Sequence, residues 1–328
     1  MLSSDASDGV AETALTLADV GEDGLLDRIL PRLRSSAPDL VVGPGDDTAL
    51  LATGPTTLVT TDAMVRGQDW LDEWSTGVDV GCKAVAQNLA DIAAMGGRPT
   101  GIVVVLLADP ATTVGWAEDL ADGLALATGE LGVAVLGGDL SSAAPGMLAV
   151  AVTALGELDG LAPVRRGGAR PGDQVAVAGG LGRAAAGWTL LSTGRGEAAP
   201  ELVGWQLRPR PPYEAGPVAA RAGATAMIDL SDGLGRDADR VARASGVRVE
   251  LFEERLAPYA AALAEAVGAR TAWECVLGGG EDHSLLACFP AESVVPGPFA
   301  VVGQIRAGEG AWCAGKRLRR SGWDHFGG

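Results

Sequence analysis

The chain has few of the residues on which common phosphate-binding and metal-binding motifs depend. It contains only two lysines, Lys83 and Lys316, and neither stands in the GxxxxGK[ST] pattern of a P-loop. It contains only two histidines, His283 and His325, which are too few for a histidine-rich metal site. The serines occur in no GxSxG pattern, so the sequence gives no support to acyl-transfer catalysis. The sequence therefore supports neither a P-loop, nor a histidine-rich metal site, nor a serine acyl-transfer site.

Cysteine pairs, long apolar runs and a secretion signal are also missing. No CxxC spacing occurs, which argues against a zinc site or a disulfide framework and indicates reduced, buried thiols at Cys82, Cys275, Cys288 and Cys313. The longest apolar run has seven residues, far short of the ~20 that span a bilayer. The acidic N-terminus has neither a basic nor an apolar segment, so we expect a cytoplasmic location.

The charge balance limits the possible partners. The chain has 42 acidic and 25 basic residues and a formal net charge of −17. This charge repels nucleic-acid phosphates and anionic membrane surfaces, so neither is an expected partner. If the substrate is a phosphate ester, carboxylates could hold it only through divalent cations, because bare carboxylates and phosphates repel each other.

Length and hydrophobic pattern predict two α/β domains. The 328 residues exceed one domain of typical size. We expect residues 1–20 to be a disordered leader, residues 21–160 to form a mixed sheet with helices, and residues 161–328 to form a second α/β domain with helices on a mixed sheet. Thr76 is the expected N-cap of a long helix that stops at Gly96 and Gly97.

Carboxylates follow four apolar, strand-like runs. They are Asp46 and Asp47, Asp62, Asp139, and Asp229 with Asp232. Each motif alone also fits an ordinary turn, because Asp and Gly tolerate turn dihedrals. Ligands of open α/β sheets collect at strand ends, and Mg²⁺ takes oxygen ligands from carboxylates and substrate phosphates, so together the motifs predict a shared metal site.

Other patterns leave alternatives open. Gln87, Asn88 and Asp91 form a polar stripe on an otherwise apolar helix, which either meets solvent or faces a site. Gly180, Gly182 and Ala185 show the G-x-G-x-x-A spacing of a dinucleotide-binding loop. No second strand ending in an acidic residue follows, which favours a plain glycine turn between strand and helix over a dinucleotide-dependent oxidoreductase.

The ordered motifs resemble thiamine-monophosphate kinase, in the superfamily shared with aminoimidazole ribonucleotide synthetase and selenophosphate synthetase. The resemblance covers nearly the whole chain, and the pieces that carry it are GPGDDTALL, VTTD, GCKAVAQNLADIAAMGGRP, LGGDL, RGGARPGD, GLGRAAAG, MIDLSDGL and GGGEDHSLL. It implies ATP-dependent in-line phosphorylation of thiamine monophosphate to thiamine diphosphate, in a homodimer whose N-terminal domain binds ATP and Mg²⁺ and pairs through its sheet. The C-terminal domain would complete the active site.

The resemblance also implies roles for individual residues. Asp62 and Asp139 would be central to metal-assisted catalysis without an acid or base. The Mg²⁺ ligands would be Asp46, Thr60, Thr61, Asp62, Asp91, Asp139, Asp229 and Asp232. ATP would contact Gly138, Asp139, Arg166 and Ser231. Thiamine monophosphate would contact Glu281, Trp323 and the residue at position 69.

The chain departs from the family pattern on the acceptor side. Arg66 and Asp69 stand where the family usually carries Glu and His, and His283 and Ser284 stand where Tyr and Glu are frequent. The alternative is therefore a kinase, or an ATP-dependent ligase or synthetase of the same superfamily, with a different acceptor.

Overall fold

A computed structural model of the chain describes residues 14–44 and 48–318. Two of the candidate site residues, Asp46 and Trp323, lie outside these ranges, as do Asp47, His325 and most of the expected leader. Within the described residues, no helix combines the length and the apolar content that a membrane crossing requires.

The described elements alternate between strands and helices. The helices are α1 Leu17–Ile29, α2 Gly77–Ala94, α3 Val114–Gly129, α4 Arg183–Ser192, α5 Pro200–Leu207, α6 Ala215–Arg221, α7 Leu234–Ser245, α8 Glu253–Val267 and α9 Ala269–Gly278. The strands are β1 Leu40–Val42, β2 Leu50–Leu51, β3 Leu58–Val65, β4 Arg98–Ala108, β5 Ala134–Ser142, β6 Leu148–Glu157, β7 Gln174–Ala178, β8 Ala226–Asp229, β9 Arg248–Leu251, β10 Leu285–Phe289, β11 Ala300–Arg306, β12 Gly310–Cys313 and β13 Lys316–Arg317.

The N-terminal sheet is mixed, as the sequence predicts. Its strand order is β3-β6-β4-β5, with β4 and β5 parallel and the other pairs antiparallel. Helices α2 and α3 pack on one face, where alternate residues such as Met64, Val104 and Val152 form the core. The β1–β2 ribbon covers part of the other face through Leu40 and Leu51.

Helix α1 begins earlier than the sequence predicts. The sequence predicts a helix from Gly21 onward, because the leucines and the isoleucine that follow form one apolar stripe. Thr16 and Asp19 form a capping box, so residues 17–20 are also helical rather than part of a disordered leader. Gly21, with a φ of 67°, has a non-helical conformation and makes a kink between the two helical parts of α1.

Helix α2 connects the two halves of the molecule. Thr76 caps its N-terminus together with Asp79, and the helix ends before Gly96, whose φ is 81°, as predicted. Nearly every side chain is buried because one side packs on β3, β6 and α3, while the other contacts β8, α5 and α6. A helix that is apolar almost all round is buried on all sides.

The C-terminal sheet is also mixed, with strand order β13-β12-β9-β11-β7-β10-β8. The sequence pattern predicts strands at residues 174–178, 225–230, 247–252, 284–289 and 298–302, and β7, β8, β9, β10 and β11 lie at these positions. The short strands β12 and β13 are too brief to show a clear alternation. Helices from the chain segment after Gly182 cover the sheet with a large apolar core.

The GLGRAA segment is a glycine turn rather than a dinucleotide-binding loop. Its strand, β7, pairs antiparallel with both β10 and β11, whereas a dinucleotide fold needs parallel neighbours. Gly182 has a φ of 75°, and a Cβ there would lie 2.6 Å from the backbone of Cys275. Glycine therefore lets α4 start close to α9.

Candidate active site

A cavity of about 620 Å³ lies between α2, β3 and the C-terminal domain. Its size suits a small-molecule ligand, for which pockets of ~300–1,000 Å³ are usual. Nine of the predicted site residues or their helix neighbours line it: Asp62, Asp69, Gln87, Asp91, Arg166, Asp229, Ser231, Asp232 and Glu281. The chain thus brings segments from both domains to one place.

Asp62 and Ala63 form the wall of the cavity that comes from β3. Thr60 and Asp62 lie on the face that meets α2. The Thr60 hydroxyl donates to Asp91 Oδ2 at 2.7 Å, and the Asp62 N–H donates to Asn88 Oδ1 at 3.0 Å. The polar stripe of α2 therefore faces the site, not solvent. Asp62 lies inside β3, not at its end as the sequence suggested.

Thr61 lies on the opposite face of the sheet from Thr60. Its hydroxyl donates to the Val152 carbonyl at 3.0 Å and accepts from the Thr153 hydroxyl at 3.1 Å. Successive side chains of a strand point to opposite faces, so the Thr61 hydroxyl points away from the face that carries Thr60 and Asp62. The metal-ligand role of Thr61 stays a prediction.

Gly138 and Asp139 lie away from this cavity. The strand register aligns Asp62 with Val152, Val104 and Gly138 across the sheet, which is three strand spacings, or about 14 Å. Asp139 follows inside β5, on the face opposite α2, and lines a second cavity of about 840 Å³ together with Gly138. The sequence predicts that Asp62 and Asp139 lie together at strand ends. Both residues instead lie within strands, at two separate positions on opposite faces of the sheet.

Asp91 faces other carboxylates. Burial raises the pKa of Asp91, the nearby charge of Asp229 adds to that rise, and the hydrogen bond from Thr60 opposes it, which gives a pKa of about 6. The charge of Asp62 also contributes to the rise. Three carboxylates from α2, β3 and β8 thus repel each other across the cavity.

Asp229, the last residue of β8, is buried against a histidine. Its Oδ2 lies 3.2 Å from His283 Nδ1. Burial acts to lower the pKa of His283, but the hydrogen bond and charge of Asp229 outweigh it and raise that pKa. The neighbouring Asp237 is also buried, and burial followed by the charge of Asp229 raises its pKa to about 7.

Arginines hold Asp232 at the rim of the site. Its carboxylate forms an ion pair with Arg240 and lies 3.6 Å from Arg236 Nε. Its backbone N–H donates to Asp237 Oδ2 at 3.0 Å. These contacts fix the SDG turn that follows β8.

Glu281 lies on a loop that packs tightly against the SDG turn. Its N–H donates to the Ser231 carbonyl at 2.8 Å. A Cβ on Gly280 would lie 2.3 Å from the same carbonyl oxygen, so only glycine allows the two loops to approach this closely. Steric contact with the SDG turn therefore explains why the GGGED motif has a glycine at position 280.

Two residues that the sequence analysis did not assign to the site hold the Glu281 carboxylate. Lys83 Nζ lies 2.6 Å from Glu281 Oε1, and Gln206 Nε2 donates to Oε2 at 2.8 Å. Burial acts to raise the pKa of Glu281, but the Lys83 ammonium and these hydrogen bonds outweigh it and lower that pKa. The signal in the sequence was a lone lysine in an apolar helix.

The substituted acceptor-side residues have local partners. Asp69 lines the cavity, and its Oδ2 accepts the Val65 N–H at 2.7 Å. Arg66 points elsewhere and donates to the Gly146 carbonyl at 2.5 Å. The Asp69 carboxylate therefore stabilises its own turn while it borders the cavity.

The carboxylates of the cavity fit a hard cation. Among the described residues, no three acidic, histidine or cysteine side chains are close enough together to enclose an ion. Mg²⁺ commonly takes only one or two carboxylates and completes its octahedron with water and phosphate oxygens. A cation would also relieve the repulsion from Asp229 and Asp62, which adds to the rise that burial causes in the pKa of Asp91. The residue set therefore suits Mg²⁺ that arrives with a phosphate ligand.

Comparisons with known proteins identify the family of the chain. The chain matches the family "AIR synthase related protein, N-terminal domain" over residues 45–158 and the corresponding C-terminal domain over residues 170–294. It is 44% identical over 302 residues to thiamine-monophosphate kinase of Mycobacterium tuberculosis, covering 91% of this chain and 89% of that protein.

Solved structures give the same result. A thiamine-monophosphate kinase from Stenotrophomonas maltophilia has a TM-score of 0.78 and 31% identity, covering 89% of this chain and 96% of the other. AaThiL, solved with AMPPCP and TMP, has a TM-score of 0.75 and 30% identity, covering 95% and 99%. Sequence, fold and site together show that the chain belongs to the thiamine-monophosphate kinase family of the AIR synthase related proteins.

Proposed function

We propose that this protein transfers the γ-phosphoryl group of ATP to thiamine monophosphate and forms thiamine diphosphate. The observation that carries the proposal is the cavity that collects Asp62, Asp91, Asp229 and Glu281 from the two domains of a chain of this family. A relative with a similar fold was solved with AMPPCP and TMP, which are an ATP analogue and the proposed acceptor.

The chemistry needs positioning more than proton transfer. An oxygen of the acceptor phosphate forms a bond to the γ-phosphorus, the bond from that phosphorus to the β,γ-bridging oxygen breaks, and ADP leaves. The acceptor phosphate is already ionised at neutral pH, so no general base is required. In this proposal Arg166 and Ser231 contact ATP, and Glu281 contacts the acceptor.

Mg²⁺ would neutralise the phosphate charge that otherwise repels a chain with a net charge of −17. One or two of the carboxylates of Asp62, Asp91 and Asp229 would hold the ion, with Thr60 orienting the Asp91 carboxylate through its 2.7 Å hydrogen bond. The charges of Asp229 and Asp62, which add to the rise that burial causes in the pKa of Asp91, support this assignment, because carboxylates that repel each other favour a shared cation.

The proposal includes a homodimer in the cytoplasm. The sheet face opposite α2 leaves Val59 64% and Val65 39% exposed, and a second copy could cover them. Thr61 and Asp139 lie on this same face, so the partner would adjoin them. All four cysteines are free and buried, which is consistent with a reducing compartment.

A different phosphorylated acceptor is the second candidate. The observation that favours it is the pair Arg66 and Asp69 at the positions where the family usually carries Glu and His. Asp69 borders the cavity as a carboxylate, which cannot donate a hydrogen bond to an acceptor phosphate as a histidine can.

A product assay distinguishes the two candidates. The native chain and the Asp69→His variant are each incubated with ATP, Mg²⁺ and thiamine monophosphate, and thiamine diphosphate is measured. We expect product from the native chain and none when Mg²⁺ or ATP is omitted. Mg²⁺-dependent ATP turnover with another acceptor, and no thiamine diphosphate from either chain, would favour the second candidate.

A further inference from the structure

The Glu281 carboxylate is held from two sides by elements of different domains. Lys83 of α2 binds Oε1 and Gln206 of α5 binds Oε2, so both oxygens have a fixed partner. The Lys83 side chain is 5% exposed and Gln206 is 4% exposed, whereas the Glu281 side chain is 39% exposed and borders the cavity. Two buried residues thus orient a third that a ligand can reach.

The orientation of the Gln206 amide follows from the chemistry of its partner. An ionised carboxylate only accepts hydrogen bonds, so the group that faces Glu281 Oε2 must be the Gln206 NH₂ group. This leaves Gln206 Oε1 buried and, among the described residues, without a hydrogen-bond partner. A buried acceptor without a partner costs stability, so the hydrogen bond to Glu281 is the favourable polar contact that the Gln206 amide makes.

The backbone around Glu281 also points to a positioned group. Glu281 has a φ of 66° and His283 a φ of 50°, both in the left-handed region that non-glycine residues rarely adopt. Such conformations persist only where the surroundings hold them, and they concentrate at ligand sites.

Lys83 has a second contact, which joins the loop that carries Asp69 to the loop that carries Glu281. Its Nζ lies 3.4 Å from the backbone carbonyl oxygen of Asp69 as well as 2.6 Å from Glu281. A buried ammonium is costly without partners, and these two oxygens supply them. One side chain therefore sets the position of both loops relative to α2.

We propose that Lys83 and Gln206 are positioning residues that fix the Glu281 carboxylate toward the amino group of the acceptor's aminopyrimidine ring. This inference rests on the proposed function, because it takes thiamine monophosphate as the acceptor. Since both of its oxygens are already oriented, the carboxylate presents its remaining lone pairs in one direction. It selects a ligand that offers N–H donors and rejects one that offers only acceptors.

The test measures binding and turnover separately. Gln206→Leu and Lys83→Met each remove one partner of Glu281, Lys83→Arg retains the charge, and Lys316→Met is the matched control on the exposed strand β13. Calorimetry gives the affinity for thiamine monophosphate in the presence of Mg²⁺ and a non-hydrolysable ATP analogue. Steady-state kinetics gives KM for each substrate and kcat.

We expect Gln206→Leu and Lys83→Met to weaken thiamine monophosphate binding about 10-fold or more. This factor corresponds to loss of the hydrogen bond between the ligand and the Glu281 carboxylate, which is no longer held in position. KM for ATP should stay unchanged, and Lys83→Arg should retain part of the affinity. An acceptor analogue with a carbonyl in place of the amino group should bind the native chain weakly, and this discrimination should be lost in Gln206→Leu. If Gln206 had only a structural role, its replacement would not change the discrimination between the amino and the carbonyl form of the acceptor.

The outcomes separate this inference from the proposed function. If the native chain binds thiamine monophosphate but forms no diphosphate, the proposed function fails, while loss of binding in the variants still supports the positioning role. Unchanged affinity and unchanged discrimination in Gln206→Leu and Lys83→Met overturn the inference even if the native chain is an active kinase. Failure of the native chain to bind thiamine monophosphate overturns both.

Discussion

Replacement of Asp91 by asparagine should change stability and activity in opposite directions. Asn has the same shape and can still accept the hydrogen bond that Thr60 donates at 2.7 Å, so the substitution mainly removes one charge. That charge is unfavourable in the metal-free protein, because burial and the carboxylates of Asp229 and Asp62 raise the pKa of Asp91 from 3.8 to about 6.

The size of the effect follows from linkage between protonation and folding. The pKa of Asp91 is higher in the folded state than in the unfolded state, so the folded state binds the proton more tightly. The resulting stabilisation is fully present at low pH and is lost as the pH rises through 6. Above that pH, the ionised Asp91 costs the fold about 3 kcal/mol, and at pH 5 it costs about half as much. An asparagine is neutral at every pH and avoids this cost.

Urea unfolding in a chelating buffer measures the prediction. Asp91→Asn should be more stable than the native chain by up to about 3 kcal/mol at pH 8 and by less at pH 5. The control Asp27→Asn removes the same charge from an exposed position and should change little. In the kinase assay, Asp91→Asn should lose about 10²-fold in turnover and need more Mg²⁺. A variant less stable than the native chain at pH 8, or a pH-independent difference, would refute the electrostatic reasoning.

Three further substitutions test other parts of the site. Asp62→Asn should abolish most phosphoryl transfer with the fold intact by circular dichroism, and near-normal turnover would remove Asp62 from the metal site. Trp188 is 41% exposed at the cavity and packs edge-on against Trp74 at 4.9 Å, so Trp188→Ala should raise KM for the aromatic acceptor while Trp188→Phe should not. Asp282→Ala leaves the N–H groups of Gly182 and Ala184 without their acceptor and should lower the free energy of unfolding by about 2–6 kcal/mol, measured by urea titration.

Much of the fold was accessible from local patterns. The cap at Thr76, the stop at Gly96 and the apolar period of α2 are all contained within a few residues of sequence, so the helix was predicted correctly. The glycine turn at Gly182 was also predicted, because the absence of a following acidic strand end is visible in the sequence. Residues 17–20 form a helical turn rather than part of a disordered leader, because Thr16 and Asp19 make a capping box before the kink at Gly21.

The sequence by itself determined the family, the excess of negative charge and the residue types available for binding phosphate. These depend on composition and on ordered motifs, which do not require knowledge of contacts between distant residues. The tertiary structure alone decided which of these residues meet. The strand pleat separates Thr61 and Asp139 from Asp62, and the register that fixes this is set by pairing across the whole sheet.

The Glu281 network depends on tertiary structure for the same reason. Its three residues, at positions 83, 206 and 281, come from two domains, and no local pattern links them. They meet because the apolar surface of α2 packs against both halves of the chain, which places its single lysine beside a loop nearly 200 residues away. Burial of that helix, a non-local packing effect, is therefore what assembles the acceptor side of the site.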